Sequence, residues 1–409
     1  MKKRVVLFLF LTISPLFSQN ESNERILKLA ASLEKLADNE ILSIQPTDFF
    51  SETNETITRE DCIISVQINQ SNVPFTINTA GNYCVVENLT TPIGIPSPLI
   101  TINSNNVVLD LNNQLLSGGG LRANAILVNA FNNVIVQNGS LRQFTGNALQ
   151  INQNAQNLQI NNIIAIANNV GFSATGILRS SFKNCVALLN VQAGFFITNG
   201  IGINVQNCIF QHCYSFGNSG IGTGQGFVFN GCVNCFLPNC IAYSNAINGF
   251  AQTNCQHMIY QNCISSGNAQ FGFSILSNNT TLQNCFADNN GLTGFRLQGN
   301  QIRVSQCQAE DNQNGFRVEG TSTNSSILES TAHRNRIAGF HFDPATTELQ
   351  IRSNTATGNL LFGFENQGVA NRVYANWANN NGTNFVGIPN FAVSPTPLAA
   401  INFTTNIAN

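Results

Sequence analysis

A pattern of apolar and polar positions repeats through most of the chain. Gly-Phe dipeptides recur every 21 to 24 residues, with one interval of 32, at Phe172, Phe195, Phe227, Phe250, Phe273, Phe295, Phe316, Phe340 and Phe364. Between them lie short alternating runs, such as residues 294–297, that are broken by Asn and Gly, which tolerate left-handed turn geometry. The pattern predicts short β-strands joined by tight turns and no helix in the repeating region.

Two further series follow the same period. One consists of Cys185, Cys208, Cys240, Cys263, Cys285 and Cys307 and continues as Ser330 and Asn354; the other consists of Asn190, Asn245, Asn268, Asn290, Asn312, Asn335 and Asn359. A unit of about 22 residues without a helix cannot bury its apolar side chains alone, so successive units must stack, with strands ~4.8 Å apart. We therefore predict a parallel β-helix, with Phe and Cys stacked in its bore and Asn stacked at its turns.

Residues 107–112, 134–139, 261–265 and 272–275 resemble the right-handed parallel β-helix superfamily that includes pectate lyases and polygalacturonases. The resemblance covers about three quarters of the chain and implies an all-β, right-handed solenoid, in line with the handedness of parallel crossovers. Aliphatic residues replace Phe in the upstream coils. We expect about thirteen coils within a domain of residues 62–388.

The two ends of the chain have their own patterns. Residues 1–18 begin with Lys2, Lys3 and Arg4 and continue through an apolar run too short to span a bilayer, which is typical of a signal peptide. This predicts export to the periplasm, the cell surface or the medium; a membrane anchor is the alternative.

Within residues 19–61, positions 22–42 have helical periodicity, with the apolar residues Ile26, Leu29, Leu33, Leu36 and Ala37 on one face. We expect a short amphipathic helix that covers the first coil or helps to assemble an oligomer such as a trimer, followed by a linker. Residues 389–409 contain three prolines and should form an extended tail.

The cysteines outside the repeat have separate interpretations. Cys62 and Cys84 bracket the start of the folded body, and in an exported protein we expect them to form a disulfide. Soft ligands also gather on two neighbouring coils, namely Cys232, Cys235, Cys255, His257 and Met258. Packed thiols are the preferred interpretation of this group, and a disulfide or a copper or zinc site are the alternatives.

Composition limits the chemistry of the chain. Only 9% of residues are charged and the net charge is −2, which argues against nucleic-acid binding. Carbohydrate-active members of the superfamily use carboxylates. No Asp or Glu occurs from Leu111 to Ala287, and the motifs of polygalacturonases are absent, so no catalytic residue is transferred from the family.

Charge returns in the last third of the chain, beside the Gly-Phe dipeptides. Strand alternation should place these residues on one exposed face of adjacent coils, as a strip of Arg296, Arg317, Glu319, His341, Asp343 and Glu365. The strip is the candidate ligand site; alternatively, its mixed charges only keep the end of the solenoid soluble. A Gly-rich insertion near residues 217–226 accounts for the interval of 32 and is a second, weaker candidate for a binding loop.

These observations favour an exported protein that binds a polysaccharide or surface glycan without catalysis and without a cofactor. Regular rows of Asn, Gln, Thr and Ser suit repetitive polar polymers. The alternatives are a polysaccharide lyase, epimerase or hydrolase that acts through the strip, and a periplasmic copper-handling protein.

Overall fold

The computed structural model describes residues 62, 65–91, 97–120, 124–220, 222–388 and 407–408. The predicted signal peptide (1–18), amphipathic helix (22–42) and linker (43–61) lie outside the described residues, as does the tail (389–409) except for Ile407–Ala408.

The described chain is a parallel β-helix of about 13 coils, which confirms the predicted fold class. One side of every coil contributes a strand to a 14-stranded parallel sheet, here called the Phe sheet. Its strands are Phe75–Ile77, Ile100–Ile102, Ile126–Val128, Asn147–Ile151, Val170–Thr175, Ala193–Thr198, Gln225–Asn230, Phe250–Thr253, Phe273–Leu276, Thr293–Gln298, Asn314–Val318, Ala338–Phe342, Phe362–Asn366 and Thr383–Val386.

The rest of each coil passes through a 26-stranded sheet, here called the bent sheet, in two successive rows. The first row comprises Val66–Ile68, Gly81–Val85, Val107–Asp110, Val134–Arg142, Gln159–Ile166, Ser181–Lys183, Ile209–Gln211, Phe236–Pro238, Ile259–Gln261, Thr281–Gln283, Arg303–Ser305, Ser326–Leu328, Gln350–Arg352 and Arg372–Tyr374. The second row comprises Leu89–Thr90, Leu115–Ser117, the ends of the two long strands at 134–142 and 159–166, Val186–Leu188, Tyr214–Phe216, Ile241–Tyr243, Ile264–Ser266, Phe286–Asp288, Gln308–Glu310, Thr331–His333, Thr355–Thr357, Trp377–Asn379 and Ile407–Ala408. A residue with positive φ, such as Asn184 or Asn262, turns the chain between the rows.

Two small elements complete the structure. Val205–Gln206 and Cys232–Val233 form a separate two-stranded sheet, and Gln70–Asn72 is one turn of 3₁₀-helix. In the described part of the chain, no helix has the length and apolar character that crossing a membrane requires.

The Gly-Phe residues stack in the bore, as the periodicity predicts. From Phe172 to Phe385, neighbouring rings lie with centroids 4.6 to 5.2 Å apart and nearly parallel planes. The preceding glycines are needed because a Cβ at Gly272 would lie 2.6 Å from the carbonyl oxygen of Gly294. Glycine at this position lets neighbouring strands pair closely, and the pairing holds each Phe directly above its counterpart.

A ladder of buried asparagines closes one turn of every coil in the same region. The backbone N–H of Asn245 donates to Oδ1 of Asn268 (3.0 Å), and the side-chain amide of Asn245 donates to the same oxygen (2.9 Å). The ladder runs from Asn168 to Asn381 and includes Asn218, which the spacing did not reveal. The side chains thus satisfy turn N–H groups that the strand pairing leaves free.

The cysteine series differs from the prediction in one member. The continuous ladder is Cys185, Cys213, Cys240, Cys263, Cys285 and Cys307, whereas Cys208 stacks with Cys235 and Met258. The interval from Cys185 to Cys208 matches the repeat length, but an extra loop at residues 199–204 lies within it. One coil there takes 28 residues, because Val186 pairs with Tyr214.

The long interval between Gly-Phe dipeptides is therefore divided between two loops. Val205 pairs with Cys232, which places some of the extra residues at 199–204, before Val205. The others follow Asn218, in the Gly-rich segment. The prediction of one insertion near 217–226 was wrong in part, because the period alone cannot locate an insertion within a coil.

The first coil is cross-linked to its neighbour. Cys62 forms a disulfide with Cys84, which lies on the strand Gly81–Val85. Tyr83 of this strand belongs to the core, so strand alternation directs Cys84 to the outside of the bent sheet. The chain upstream of Cys62 is thereby tethered to the outer surface of the solenoid.

Candidate functional site

The charged strip lies on four neighbouring strands of the Phe sheet. Arg296 pairs with Arg317, Arg317 with His341, and His341 with Glu365, in exact lateral register. Their neighbours Phe295, Phe316, Phe340 and Phe364 are fully buried in the bore. Strand alternation therefore directs the charged side chains outward, as the sequence predicts.

Ion pairs link one coil of the strip to the next. Arg296 Nε lies 2.6 Å from Oε1 of Glu319, at the end of the following strand. Arg317 makes a two-pronged contact with Asp343, through Nε (3.2 Å) and one terminal nitrogen (3.1 Å). Hydrogen bonding to Asp343 also raises the pKa of Arg317 further above its ordinary value.

His341 stands between two carboxylates at the centre of the strip. Its Nε2 is 2.8 Å from Oδ1 of Asp343 and its Nδ1 is 2.6 Å from Oε2 of Glu365. Each ring nitrogen therefore contacts a different carboxylate, which fixes the orientation of the ring. Gln367 donates to the other oxygen of Glu365 at 2.7 Å, so the network also fixes this carboxylate.

All six predicted residues of the strip are brought together. Their side chains are partly exposed, from 13% for Glu365 to 38% for Arg317. An aromatic ring that the sequence analysis missed adjoins them, because the guanidinium carbon of Arg296 lies 4.9 Å from the ring centroid of Phe271. Phe271 lies in a turn outside the Gly-Phe series, so the repeat gave no signal for it.

The arrangement offers a ligand a row of oriented polar groups. Three carboxylates, two guanidinium groups and an imidazole lie on four neighbouring strands, and each is oriented by a partner in the network. Upstream along the same row, the outward positions hold uncharged residues, namely Ser173, Phe196, Val228, Ala251 and Ser274. The strip is therefore a local feature of the C-terminal coils.

A second charged cluster lies on the bent sheet and was missed from the sequence. Asp288, Glu310 and His333 are neighbours in the second row. Arg334 forms ion pairs with Glu310 and with Asp311, the latter at 2.9 Å. Burial, reinforced by the nearby acids, raises the pKa of Asp288 to about 6. Asp288, Glu310 and His333 are separated by 22 and 23 residues, which matches the repeat, so the sequence contained a signal for this alignment.

The soft ligands on neighbouring coils do not all face one space. Cys232, Cys235, Cys255 and Met258 are buried, whereas His257 is exposed and has a positive φ. Cys232 and Cys235 both point into the bore because the turn at Asn234, also with positive φ, lies between them.

Two thiols of the cysteine ladder are held in the neutral form. Burial raises the pKa of Cys213 and of Cys240 well above the ordinary thiol value, which favours the neutral form over a metal-binding thiolate. Within the described ranges, no group of three or more His, Cys, Asp or Glu residues is arranged to hold a metal ion.

Comparisons with known proteins agree with the fold. Residues 225–382 match the family described as "Right handed beta helix region", which confirms the resemblance seen in the sequence. No curated protein is significantly similar to the chain.

Several solved structures are similar at low sequence identity. The A-module of mannuronan C-5 epimerase AlgE6 from Azotobacter vinelandii is 14% identical, with 78% of this chain and 88% of that chain covered and a TM-score of 0.46. The periplasmic alginate epimerase AlgG is 13% identical, with 84% and 82% covered and a TM-score of 0.42. The Dettilon tailspike protein gp208 is 11% identical, with 84% and 60% covered and a TM-score of 0.39. Likeness at this level concerns the fold alone.

Proposed function

We propose that this protein binds a polysaccharide along the outer face of the Phe sheet, at the charged strip. The observation that carries the proposal is the network of Arg296, Arg317, Glu319, His341, Asp343 and Glu365, which orients charged groups on neighbouring coils. Oriented donors and acceptors on a rigid sheet suit a polymer whose hydroxyl groups repeat along its length.

The dimensions and composition of the strip support a polymeric ligand. From the strand of Arg296 to that of Glu365 there are three strand spacings, or ~14 Å, which accommodates a few sugar units. Phe271 adds an apolar ring beside Arg296. The charges of the strip are already paired with each other. This favours recognition of the hydroxyl groups of a ligand over attraction of a ligand that carries one sign of charge.

The proposed partner fits an exported protein. We propose that residues 1–18 direct export, because their charged start and short apolar run are typical of a cleaved signal. The mature protein would then meet glycans in the periplasm, at the cell surface or in the medium.

A glycan array probed with the mature protein tests the binding proposal. Arg317→Gln should weaken binding to the best glycan at least ~10-fold, since a charge-assisted contact is lost and Asp343 keeps only His341 of its two partners. Arg303→Gln is the matched control, because Arg303 is exposed on the bent sheet. Equal binding by the two variants, or no binding of any glycan by the wild-type protein, would contradict the proposal.

A second candidate function is a polysaccharide lyase, epimerase or hydrolase. It is favoured by His341, whose two ring nitrogens contact Asp343 and Glu365 as in a proton-transfer site. Incubation with the glycan found on the array, followed by product analysis, tests it. Turnover that disappears in Asp343→Asn and Glu319→Gln while binding persists would establish an enzyme; absence of turnover by the wild-type protein would leave binding alone.

A further inference from the structure

We propose that the predicted helix of residues 22–42 lies along an apolar surface on the outside of the bent sheet. This surface, here called the outer apolar face, consists of Ile164, Ile166, Val186, Leu188, Tyr214 and Phe216, which form a hydrophobic cluster separate from the bore. The half-buried Ile241 and Tyr243 extend it by one coil. It lies on a different sheet from the charged strip, so the inference is independent of glycan binding.

The side chains of the outer apolar face point away from the bore. Ala165 and Ala187, which alternate with them, belong to the main core. Ser215 takes the same inward position on the next coil, where its hydroxyl donates to the carbonyl oxygen of Gly226 at 3.0 Å. The residues on either side must therefore face outward. In an uncovered outer sheet these positions would be exposed to water.

The outer apolar face is nevertheless buried. Ile164 and Leu188 have 0% relative exposure and Tyr214 has 5%. Among the described residues, the apolar side chains packed against the cluster are those of Ile241 and Tyr243, so its apolar cover does not come from another described element. Exposing several such side chains to water is unfavourable, so a bare face of this size would be destabilising.

The N-terminal segment has the right pattern and length to cover this face. Its apolar residues run from Ile26 to Ala37, which spans ~17 Å in a helix. The face extends over three strand spacings, from Ile164 to Ile241, or ~14 Å. A helix parallel to the solenoid axis therefore matches one apolar stripe to the other, with its charged side facing water.

The tether brings the segment to the correct side. Cys62 is bonded to Cys84, which lies on the outer side of the bent sheet. In the lateral register, Cys84 is three coils before Asn161, on the strand that carries Ile164, so the axial distance is ~14 Å. Residues 43–61 can span up to ~60 Å when extended, which is ample.

Photo-crosslinking within the intact protein tests the proposal. Leu33→p-benzoylphenylalanine places the probe on the apolar stripe, and Lys35→p-benzoylphenylalanine is the matched control on the opposite side of the predicted helix. After irradiation, peptide mapping should find intramolecular cross-links from position 33 to residues 164–188 and 214–243, at several times the yield from position 35.

Three outcomes would overturn the proposal. Cross-links from position 33 to residues 66–85 would place the helix over the first coil instead. Cross-linked dimers would show that a second copy of the chain covers the face. Equal yields from positions 33 and 35 would show that no fixed helix face contacts the solenoid.

Discussion

The buried asparagine ladder allows one perturbation to be worked out in detail, the substitution Asn290→Ala. Oδ1 of Asn290 accepts from the backbone N–H (3.1 Å) and the side-chain amide (2.9 Å) of Asn268. Its Nδ2 donates to the carbonyl oxygen of Ser265 and to Oδ1 of Asn312, both at 3.0 Å. The Asn290 side chain thus joins three coils.

Alanine would remove all four bonds without disturbing the strands. The side-chain amide of Asn268 keeps a bond to Oγ of Ser265 at 3.0 Å, but the backbone N–H of Asn268 loses its acceptor. A buried group left without a partner costs about 1–3 kcal/mol, so with the bonds lost at Ser265 and Asn312 we expect a loss of roughly 3 kcal/mol. Gln283→Ala, at an outward position, should cost less than ~0.5 kcal/mol.

Two measurements check this expectation. Denaturant unfolding followed by circular dichroism gives the change in free energy, and hydrogen exchange reports locally on the amide of Asn268, which should exchange much faster in the variant. A solenoid can unfold in steps, so the local measurement guards against a shift confined to another coil. A loss below ~1 kcal/mol together with unchanged exchange at Asn268 would refute the account of the ladder.

Three further predictions concern the bore, the second charged cluster and the disulfide. Phe295→Ala should lower the free energy of unfolding, measured with denaturant, by about 3–5 kcal/mol, because Phe295 stacks in the bore. The control Phe196→Ala, at an exposed position, should lower it by ~0.5 kcal/mol. Similar losses in the two variants would contradict the stacking argument. Because the pKa of Asp288 is raised from 3.8 to about 6 in the folded state, stability should fall by roughly 3 kcal/mol as pH rises through this window. Asp288→Asn should abolish that part of the pH dependence, and an unchanged profile would show that another group causes it. Cys62→Ser should lower stability by ~3 kcal/mol and remove the response of the unfolding midpoint to reductant; a response that persists in the variant would point to another disulfide.

The repeat made the interior of the fold predictable from the sequence. A residue in the bore meets its counterpart one coil away, so Phe295 lies between Phe273 and Phe316 and the same residue type recurs. Strand alternation then placed Arg296 and Arg317 outward and adjacent. The strip could be predicted because its members directly follow the most regular signal in the chain.

Features that the period does not encode were predicted poorly or missed. Cys208 was assigned to the wrong ladder because the loop at 199–204 lengthens its coil. Phe271 has no counterpart in the repeat, and its contact with Arg296 depends on how a turn folds back. The outer apolar face escaped notice because Val186 and Leu188 resemble core residues in sequence, and only the structure shows which side of the sheet they occupy.

The small contribution of the strip's charges to stability supports the proposal that they serve recognition. Its ion pairs are partly exposed, and such pairs contribute about 0–1 kcal/mol each, whereas one buried asparagine of the ladder is expected to contribute several times as much. Between Leu111 and Ala287 the solenoid stacks without any Asp or Glu, so coil stacking does not require such pairs. The network also restricts the rotamers of six charged side chains on one exposed row. Their conformational entropy is therefore lost on folding and does not have to be lost when a ligand binds. If the proposed glycan binds there, a row prepared in this way would lower the cost of holding it.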